Sequence, residues 1–307
     1  MSPILVIILL SLLIISVWAW QQKKKARLYE IPWGDQMVQT LTSRSFCLKV
    51  GGFVTFIGLW HLTVVTFSIP WFNRLSGPVE CLVEWLSPDP YYGVSIYTQD
   101  YYTHIIYSTY RATLAFILAT IFGVACGLTM GWSKKFYDYS IPLVELIRPI
   151  PPLAWVPLAI LILPGIEPAV IFVTFLVAFF VTTLNTLLGV QSIDENYFRA
   201  AQCLGAGKKR LLLDVVLPGS MPFIFTGLQI SMGAAWFSLV AGEMVAAQYG
   251  LGFLIWDSYS LIQYPVIIIG MVTLGFVGWA SSAIVRSIGK KLMAWREREL
   301  NTSCIGG

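Results

Sequence analysis

Apolar residues run almost without interruption over seven stretches of the chain: Ile4–Trp20, Gly51–Ile69, Thr113–Trp132, Val144–Leu163, Ala169–Val190, Pro222–Ala241 and Val266–Val285. Each approaches or reaches the length, roughly 17 to 25 residues, that a helix needs to cross a hydrocarbon core of about 30 Å. A bilayer offers no water to backbone N–H and C=O groups, so such runs must satisfy those groups internally, as helices do. The pattern therefore predicts an all-α polytopic membrane protein with about seven transmembrane helices. Composition agrees: 57% of the 307 residues are hydrophobic, 12% are charged, and the mean hydropathy is +0.73. A soluble chain would carry about a quarter of its residues as Asp, Glu, Lys and Arg, so a soluble enzyme is excluded.

The placement of charge gives an orientation. Basic residues collect in cytoplasmic loops, and 18 of the 20 lysines and arginines fall on one side if the first run passes from outside to inside. Only Arg74 and Arg111 fall on the other side, in company with Glu80, Glu84, Asp89 and Asp100. The expectation is an extracytoplasmic N-terminus and a cytoplasmic C-terminus. Because its basic cluster, Lys23 to Arg27, follows the first apolar run, that run reads as an uncleaved anchor and not as a signal peptide. The expected organisation is an N-terminal helix over 1–21, a cytoplasmic linker over 22–49, the main transmembrane domain over 50–295 and a cytoplasmic tail over 296–307.

Two apolar runs carry extra information. Seven prolines lie between Pro142 and Pro168, and Pro149, Pro151 and Pro152 follow Arg148 directly. They should break or kink the fourth span, either as a packed kink or where the chain lines a pathway, since irregular backbone at membrane depth needs protein or a cavity around it. In the third span, Gly123, Gly127 and Gly131 recur every four residues, which predicts a seam for close helix contact.

Between the fifth and sixth membrane runs lies a polar segment. Ser192 followed by Glu195 reads as a capping box, Gly205 as the residue that ends a short helix in the left-handed conformation, and a second helix is expected from Lys208 toward Pro218. Read from the residues alone, this is either an ordinary loop or a docking lever. The spacing Arg199-Ala200-Ala201-x3-Gly205-x9-Val215-x-Leu217-Pro218 resembles the E-A-A-x3-G-x9-I-x-L-P signature of bacterial ABC-importer permeases. Arg199 in place of Glu and Val215 in place of Ile are the departures; the spacing is kept. Further stretches are similar to the nitrate, sulfonate/taurine and bicarbonate group of these permeases. They are Arg148-Pro-Ile-Pro-Pro-Leu-Ala-Trp-Val-Pro157, Thr226-Gly-Leu-Gln-Ile230, Glu243-Met-Val-Ala-Ala247 and Tyr249-Gly-Leu-Gly-Phe253. The form Arg-Ala-Ala-Gln-x-Leu-Gly-Ala is closest to the taurine branch.

The resemblance covers most of residues 70–295 and implies a six-helix type I ABC-importer core with one extra N-terminal helix. It implies a coupling helix at 193–205, with Arg199, Ala200, Ala201, Gly205, Leu217 and Pro218 serving the ATPase contact. It also implies a homodimer with two cytoplasmic ABC ATPase subunits and an extracytoplasmic substrate-binding protein. The transported solute is then a small anion, a sulfonate such as taurine, nitrate or bicarbonate, with an uncharged heterocycle such as a pyrimidine vitamin precursor as the alternative. No G-x-x-x-x-G-K-[ST] phosphate loop occurs in the sequence, so ATP is expected on the partner ATPase and no cofactor or nucleic acid is expected on this chain.

Candidate substrate-path residues are Arg148, Pro151, Trp155, Asn185 and Glu243, because ionisable and polar groups within spans are costly and so mark pathways or packing contacts. Each has a plainer reading. Arg148 could snorkel to the interface or pair with Glu145, Asn185 could be interhelical glue, Trp155 a packing residue, and Glu243 a satisfied structural carboxylate. His61 and His104 lack metal-ligand companions at useful spacing, and the five cysteines include no C-x-x-C pair. Two other classes fit less well. A stand-alone ion-coupled transporter should show internal repeats and several intramembrane acids, and a membrane enzyme should show clustered His, Asp or Glu.

Overall fold

A computed structural model describes residues 44–67 and 75–293. The first apolar run and residues 22–43 of the linker lie outside the described residues, as does the tail from 296 onward. The chain divides into two compact units, one through Pro90 and one from Tyr91. All elements among the described residues are helical.

In the first unit, α1 (Arg44–His61) continues into a wider π turn over Leu62–Thr66, and α2 (Pro78–Leu86) follows. Pro78 suits the first turn of α2, where its missing N–H is no loss.

The second unit contains α3 (Gln99–Trp132), α4 (Lys134–Ile147), α5 (Pro152–Ile162), α6 (Ile166–Gln191), α7 (Glu195–Cys203), α8 (Lys208–Ala246), α9 (Leu251–Ser260) and α10 (Tyr264–Leu292). Among the described residues, α3, α6, α8 and α10 are long and apolar enough to cross a membrane, and the pair α4/α5 makes a fifth crossing if counted as one. The segment Val50–Thr66 is apolar but shorter. The expected fourth span, Val144–Leu163, is not one kinked helix: its two halves meet at 102°. Its prolines explain the break. Pro149 and Pro151 cannot donate to a helical ladder, and Pro151 itself takes extended backbone with ψ 142°. Pro152 then starts a new helix. The third span is longer than hydropathy suggests, since α3 begins at Gln99 and not near Thr113.

Helix α6 is the centre of this unit, packed between α3 and α8. The glycine seam of α3 lies on it: a Cβ at Gly127 would stand 2.6 Å from the Thr183 carbonyl and from Thr186 Cβ, and one at Gly131 would stand 2.5 Å from Val190 Cβ. Side chains at these positions would force the helices apart. On the other flank, the Ser231 hydroxyl of α8 donates to the Ala178 carbonyl at 3.0 Å and accepts from Thr182 at 3.0 Å, while Ser238 donates to the Val173 carbonyl at 3.1 Å. Small residues and hydroxyl bonds of this kind hold helices together where no hydrophobic drive separates protein from lipid. The apolar core follows the same axis, with Ile224, Phe225, Leu228, Met232, Trp236 and Leu239 of α8 buried together. The Trp236 indole N–H donates to Ser281 of α10 at 2.8 Å.

The seam gives a stability prediction. Gly127→Ala should lower stability by about 1–3 kcal/mol through overpacking. Gly275→Ala in α10, where nothing lies within 4 Å of the added methyl, should be neutral or stabilising by up to about 1 kcal/mol. Thermal unfolding of both variants in one detergent checks the contrast.

Candidate functional site

Three arrangements bear on function, and the first is α7. Asp194, in extended conformation, accepts a hydrogen bond from the Asn196 amide at 2.8 Å and so caps the helix. Ser192 does not cap it. Its backbone is still helical at the end of α6, and its hydroxyl donates back to the Gly189 carbonyl at 2.8 Å. The helix therefore starts two residues later than Ser192 suggests. Its end follows the expectation closely. Gly205 has φ +79°, the Ala206 amide donates to the Ala201 carbonyl at 3.0 Å, and the Gly205 amide donates to Gln202 at 2.9 Å. These two bonds make a Schellman stop, which needs the left-handed residue that glycine supplies without strain. Arg199, the departure from the signature, pairs with Glu195 one turn back at 3.0 Å on the exposed surface.

No residue of α7 is buried. Tyr197, Ala200, Ala201 and Leu204 follow helical spacing and form one stripe, with Tyr197 67% and Leu204 89% exposed. After α7 the chain does not pause at Pro218. Lys208–Ala246 is one continuous helix, widened into π turns over Leu211–Val216, with Leu217 and Pro218 just beyond the widening. The wider turn stands where the Pro218 ring would otherwise crowd the preceding carbonyls. Leu217 packs against the α8 core cluster.

The second arrangement is a cavity of about 490 Å³ between the α4–α5 bend, α6 and α8. Arg148 and Asn185 line it together with apolar side chains that include Phe180, Val181, Ile230 and Phe237. Arg148 is its charged wall residue and is exposed, and no ion pair joins it to Glu145. The Asn185 amide N–H donates to the Val181 carbonyl within its own helix at 2.8 Å, and its side chain lies against Gly227 of α8. Pro151 precedes α5 as its N-cap, while Trp155 packs on the cluster of Val156, Ala159, Ala169 and Val173. The Trp155 indole N–H is buried with no hydrogen-bond partner among the described residues.

The third arrangement holds Glu243, which does not line the cavity. It lies in the last turn of α8, fully buried, facing an arginine that is also fully buried. Arg111 of α3 donates through Nη1 to Glu243 at 2.7 Å and to the Tyr249 carbonyl at 2.6 Å. Through Nε and Nη2 it grips Glu167, in the first turn of α6, at 2.6 and 2.5 Å. Ser108, one turn before Arg111, donates to the Glu243 carboxylate at 2.8 Å and accepts from the Leu251 amide at 2.7 Å. The Gly252 amide donates to Glu243 at 2.9 Å, and the Gly250 amide donates to Nδ1 of His104 at 3.0 Å. Gly250 has φ +130°, and a Cβ there would collide with the Glu243 carboxylate. Gly250 is thus required by the close approach of its backbone to a buried charge, and Gly252 by close approach to the α8 backbone at Val240.

Comparison with known proteins follows this geometry. The profile of the family described as "Binding-protein-dependent transport system inner membrane component" matches residues 119–295, more than half of the chain. A nitrate import permease of Leptolyngbya laminosa is 32% identical over 78% of this chain and 85% of its own length. This chain belongs to that family of ABC-importer permeases. A bicarbonate transport permease of Synechococcus elongatus is 32% identical over 78% of this chain and 90% of its own. A taurine transport permease of Escherichia coli is 31% identical over 82% and 91%. Among solved structures, the inward-facing MetNI methionine ABC transporter superposes with a TM-score of 0.51 over 60% of this chain and 94% of that one, at 18% identity, which supports the fold. This permease is thus a multi-pass inner-membrane component of the importer family, and its relatives are permease subunits.

Within the permease, sequence reasoning missed Arg111, Ser108, His104 and Glu167. By the charge count Arg111 falls on the outer side, just before the third apolar run, and the others carry no motif. A signal was present nevertheless. His104, Ser108 and Arg111 fall on one helix face at spacings of four and three residues, and an intramembrane Glu243 demands a cation somewhere.

Arg111→Met should cost about 3–5 kcal/mol, because it leaves the buried Glu243 uncompensated. Arg111→Met combined with Glu243→Gln should recover part of that loss. Thermal unfolding of the purified permease in detergent, single against double variant, reads the difference.

Proposed function

We propose that this chain is the membrane-spanning subunit of an ATP-driven importer for a small oxyanion. It works as one of two permease copies, with a pair of cytoplasmic ATPases and an extracytoplasmic binding protein. The observation that carries the reading is α7: a short helix, capped at one end and sharply stopped at the other, that presents Tyr197, Ala200 and Leu204 exposed and Ala201 half-buried among the described residues. An apolar stripe on a polar segment between two membrane helices has no reason to stay bare, and exposed patches of this kind mark partner sites. The small alanines allow close approach, and Gly205 fixes the exit angle. Since α7 joins α6 directly to α8, a partner that moves it moves both helices. On this reading α7 and the basic residues beside it face the cytoplasm, in line with the charge asymmetry.

Nitrate, bicarbonate and taurine, the solutes in the relatives' names, share a small head bearing several oxygens. Arg148 suits such a head. It lines the cavity beside Asn185 and apolar walls, and a planar guanidinium offers paired donors to an oxyanion. The taurine-like form of the coupling segment favours a sulfonate among the three. Pro151 and Trp155 shape the same bend, while Glu243 acts at the distant end of α8. Alternating access follows if nucleotide binding by the ATPases favours one permease state, since a ligand shifts an equilibrium only by its differential affinity.

Uptake into vesicles that contain the permease, its ATPase and its binding protein tests the reading, with taurine, nitrate and bicarbonate offered in turn. ATP-dependent accumulation of one anion is expected; accumulation driven by an ion gradient without ATP would overturn it. Ala201→Asp should bury a lone carboxylate at the ATPase contact. Such an unpaired buried charge costs roughly 2–5 kcal/mol, so co-purification of the ATPase and ATP-dependent uptake should both fall by well over about tenfold. Arg148→Gln should raise the KM for the transported anion while ATPase co-purification is unchanged.

A further inference from the structure

The Arg111 cluster lies at the ends of α6 and α8 farthest from α7. Glu167 is in the first turn of α6 and Glu243 in the last turn of α8, whereas α7 follows the last residue of α6 and precedes the first of α8. From Glu167 to Gln191 a helix rises about 36 Å. Between the two ends, α3, α6 and α8 are held by the glycine seam and by the Thr182, Ser231 and Ser238 bonds. At the far end a single guanidinium ties all three helices, and the Glu243 carboxylate that answers it, together with the Ser108 hydroxyl bonded to that carboxylate, also holds the first amides of α9.

We infer that Arg111, Glu167 and Glu243 are positioning residues of the transport cycle: they lock α3, α6, α8 and the start of α9 into one lever, so that displacement at α7 becomes displacement of the Tyr249–Gly252 turn. The inference rests on the importer reading of α7. Without the lock, the ends of α6 and α8 are held by the packing of Val170 and Ala169 on Leu239, Gly242 and Ala246, and movement at α7 is transmitted less faithfully along the helices. With it, the Tyr249 carbonyl and the amides of Gly250, Leu251 and Gly252 travel with the core, because each is bonded to a side chain of α3 or α8. The lever transmits in both directions. A binding protein that docks at the Tyr249–Gly252 end changes the position of α7, and with it the activity of the ATPase.

Glu167 is the arm to cut. It is 49% exposed, and its loss leaves Arg111 still paired with Glu243, Ser108 still bonded and the core still packed. The Glu167→Gln and Glu167→Asp complexes are compared with wild type in proteoliposomes. ATP hydrolysis is measured with and without solute-loaded binding protein, alongside uptake per assembled complex. For Glu167→Gln the stimulation of hydrolysis by the binding protein should fall toward onefold, and uptake should fall at least tenfold, with basal hydrolysis retained. Glu167→Asp keeps the charge and should recover part of both. A stimulation ratio and uptake equal to wild type would overturn the inference. So would losses that track the amount of assembled complex at an unchanged ratio, since that is what a purely structural staple gives. If Glu167→Gln does not assemble, the ratio in Glu167→Asp decides in the same way. Wild type separates the two readings: no ATP-dependent uptake there overturns the importer assignment itself, whereas normal wild-type uptake with a coupled Glu167→Gln overturns the lever alone.

Discussion

A guanidinium with no water around it must find acceptors for its donors, and that demand organises one end of this permease. Arg111 is 0% exposed, and four of its donor contacts reach two carboxylates and a backbone carbonyl drawn from α6, α8 and the α8–α9 turn. None of those acceptors is near it in sequence: they lie 56, 132 and 138 residues away. The requirement therefore acts between elements, and it is met in one arrangement of helix ends. The charge count is also placed with physical sense. One arginine faces two carboxylates, and the excess negative charge falls on Glu167, which solvent reaches, while the fully buried Glu243 accepts from Arg111, Ser108 and an amide. Burial of an ion is tolerated when its remaining hydrogen-bonding capacity is filled.

Away from that end the helices are held by closeness. Lipid tails are as apolar as leucine, so burial of leucine against leucine gives helices in a bilayer little reason to associate. Gly123, Gly127 and Gly131 bring α3 onto α6, and Gly227 brings α8 onto Asn185 of the same helix. Serine and threonine hydroxyls then cross the narrow gaps. The large apolar side chains left on the outside, such as Phe276, Trp279 and Ile284 of α10, suit a lipid-facing surface.

What the sequence made legible was local. Hydropathy located four of its seven runs on long apolar helices, α3, α6, α8 and α10, four-residue glycine spacing located the seam, and Gly205 located the end of α7, because each signal is local in sequence. The failures share a cause. A hydropathy window treats Arg111 as a charge to be kept outside, since its partners are more than fifty residues away, and so the start of α3 was placed near Thr113 in place of Gln99. Ser192 met the spacing of a cap, but its backbone remains helical because α6 runs on to Gln191, and Asp194 takes the role. The prolines after Arg148 announced a break, yet the size of the bend is set by what α4 and α5 pack against, which no window of sequence contains.

The contrast between two arginines of the same unit separates structure from recognition. Both lie near the limits of apolar stretches, and by type and hydropathy they are interchangeable. Arg111 commits four of its five donors to two carboxylates and a carbonyl and is closed to solvent, so it is poorly placed to meet a passing anion. Arg148 stands at the bend with no ion pair to Glu145, lining the cavity beside Asn185 and apolar walls. It is exposed where Arg111 is fully buried, so it does not need a carboxylate partner in the way Arg111 does. On the oxyanion reading proposed above, an arginine of this kind is the suitable one, because a cation already paired with a carboxylate would hold the solute only by breaking that pair first.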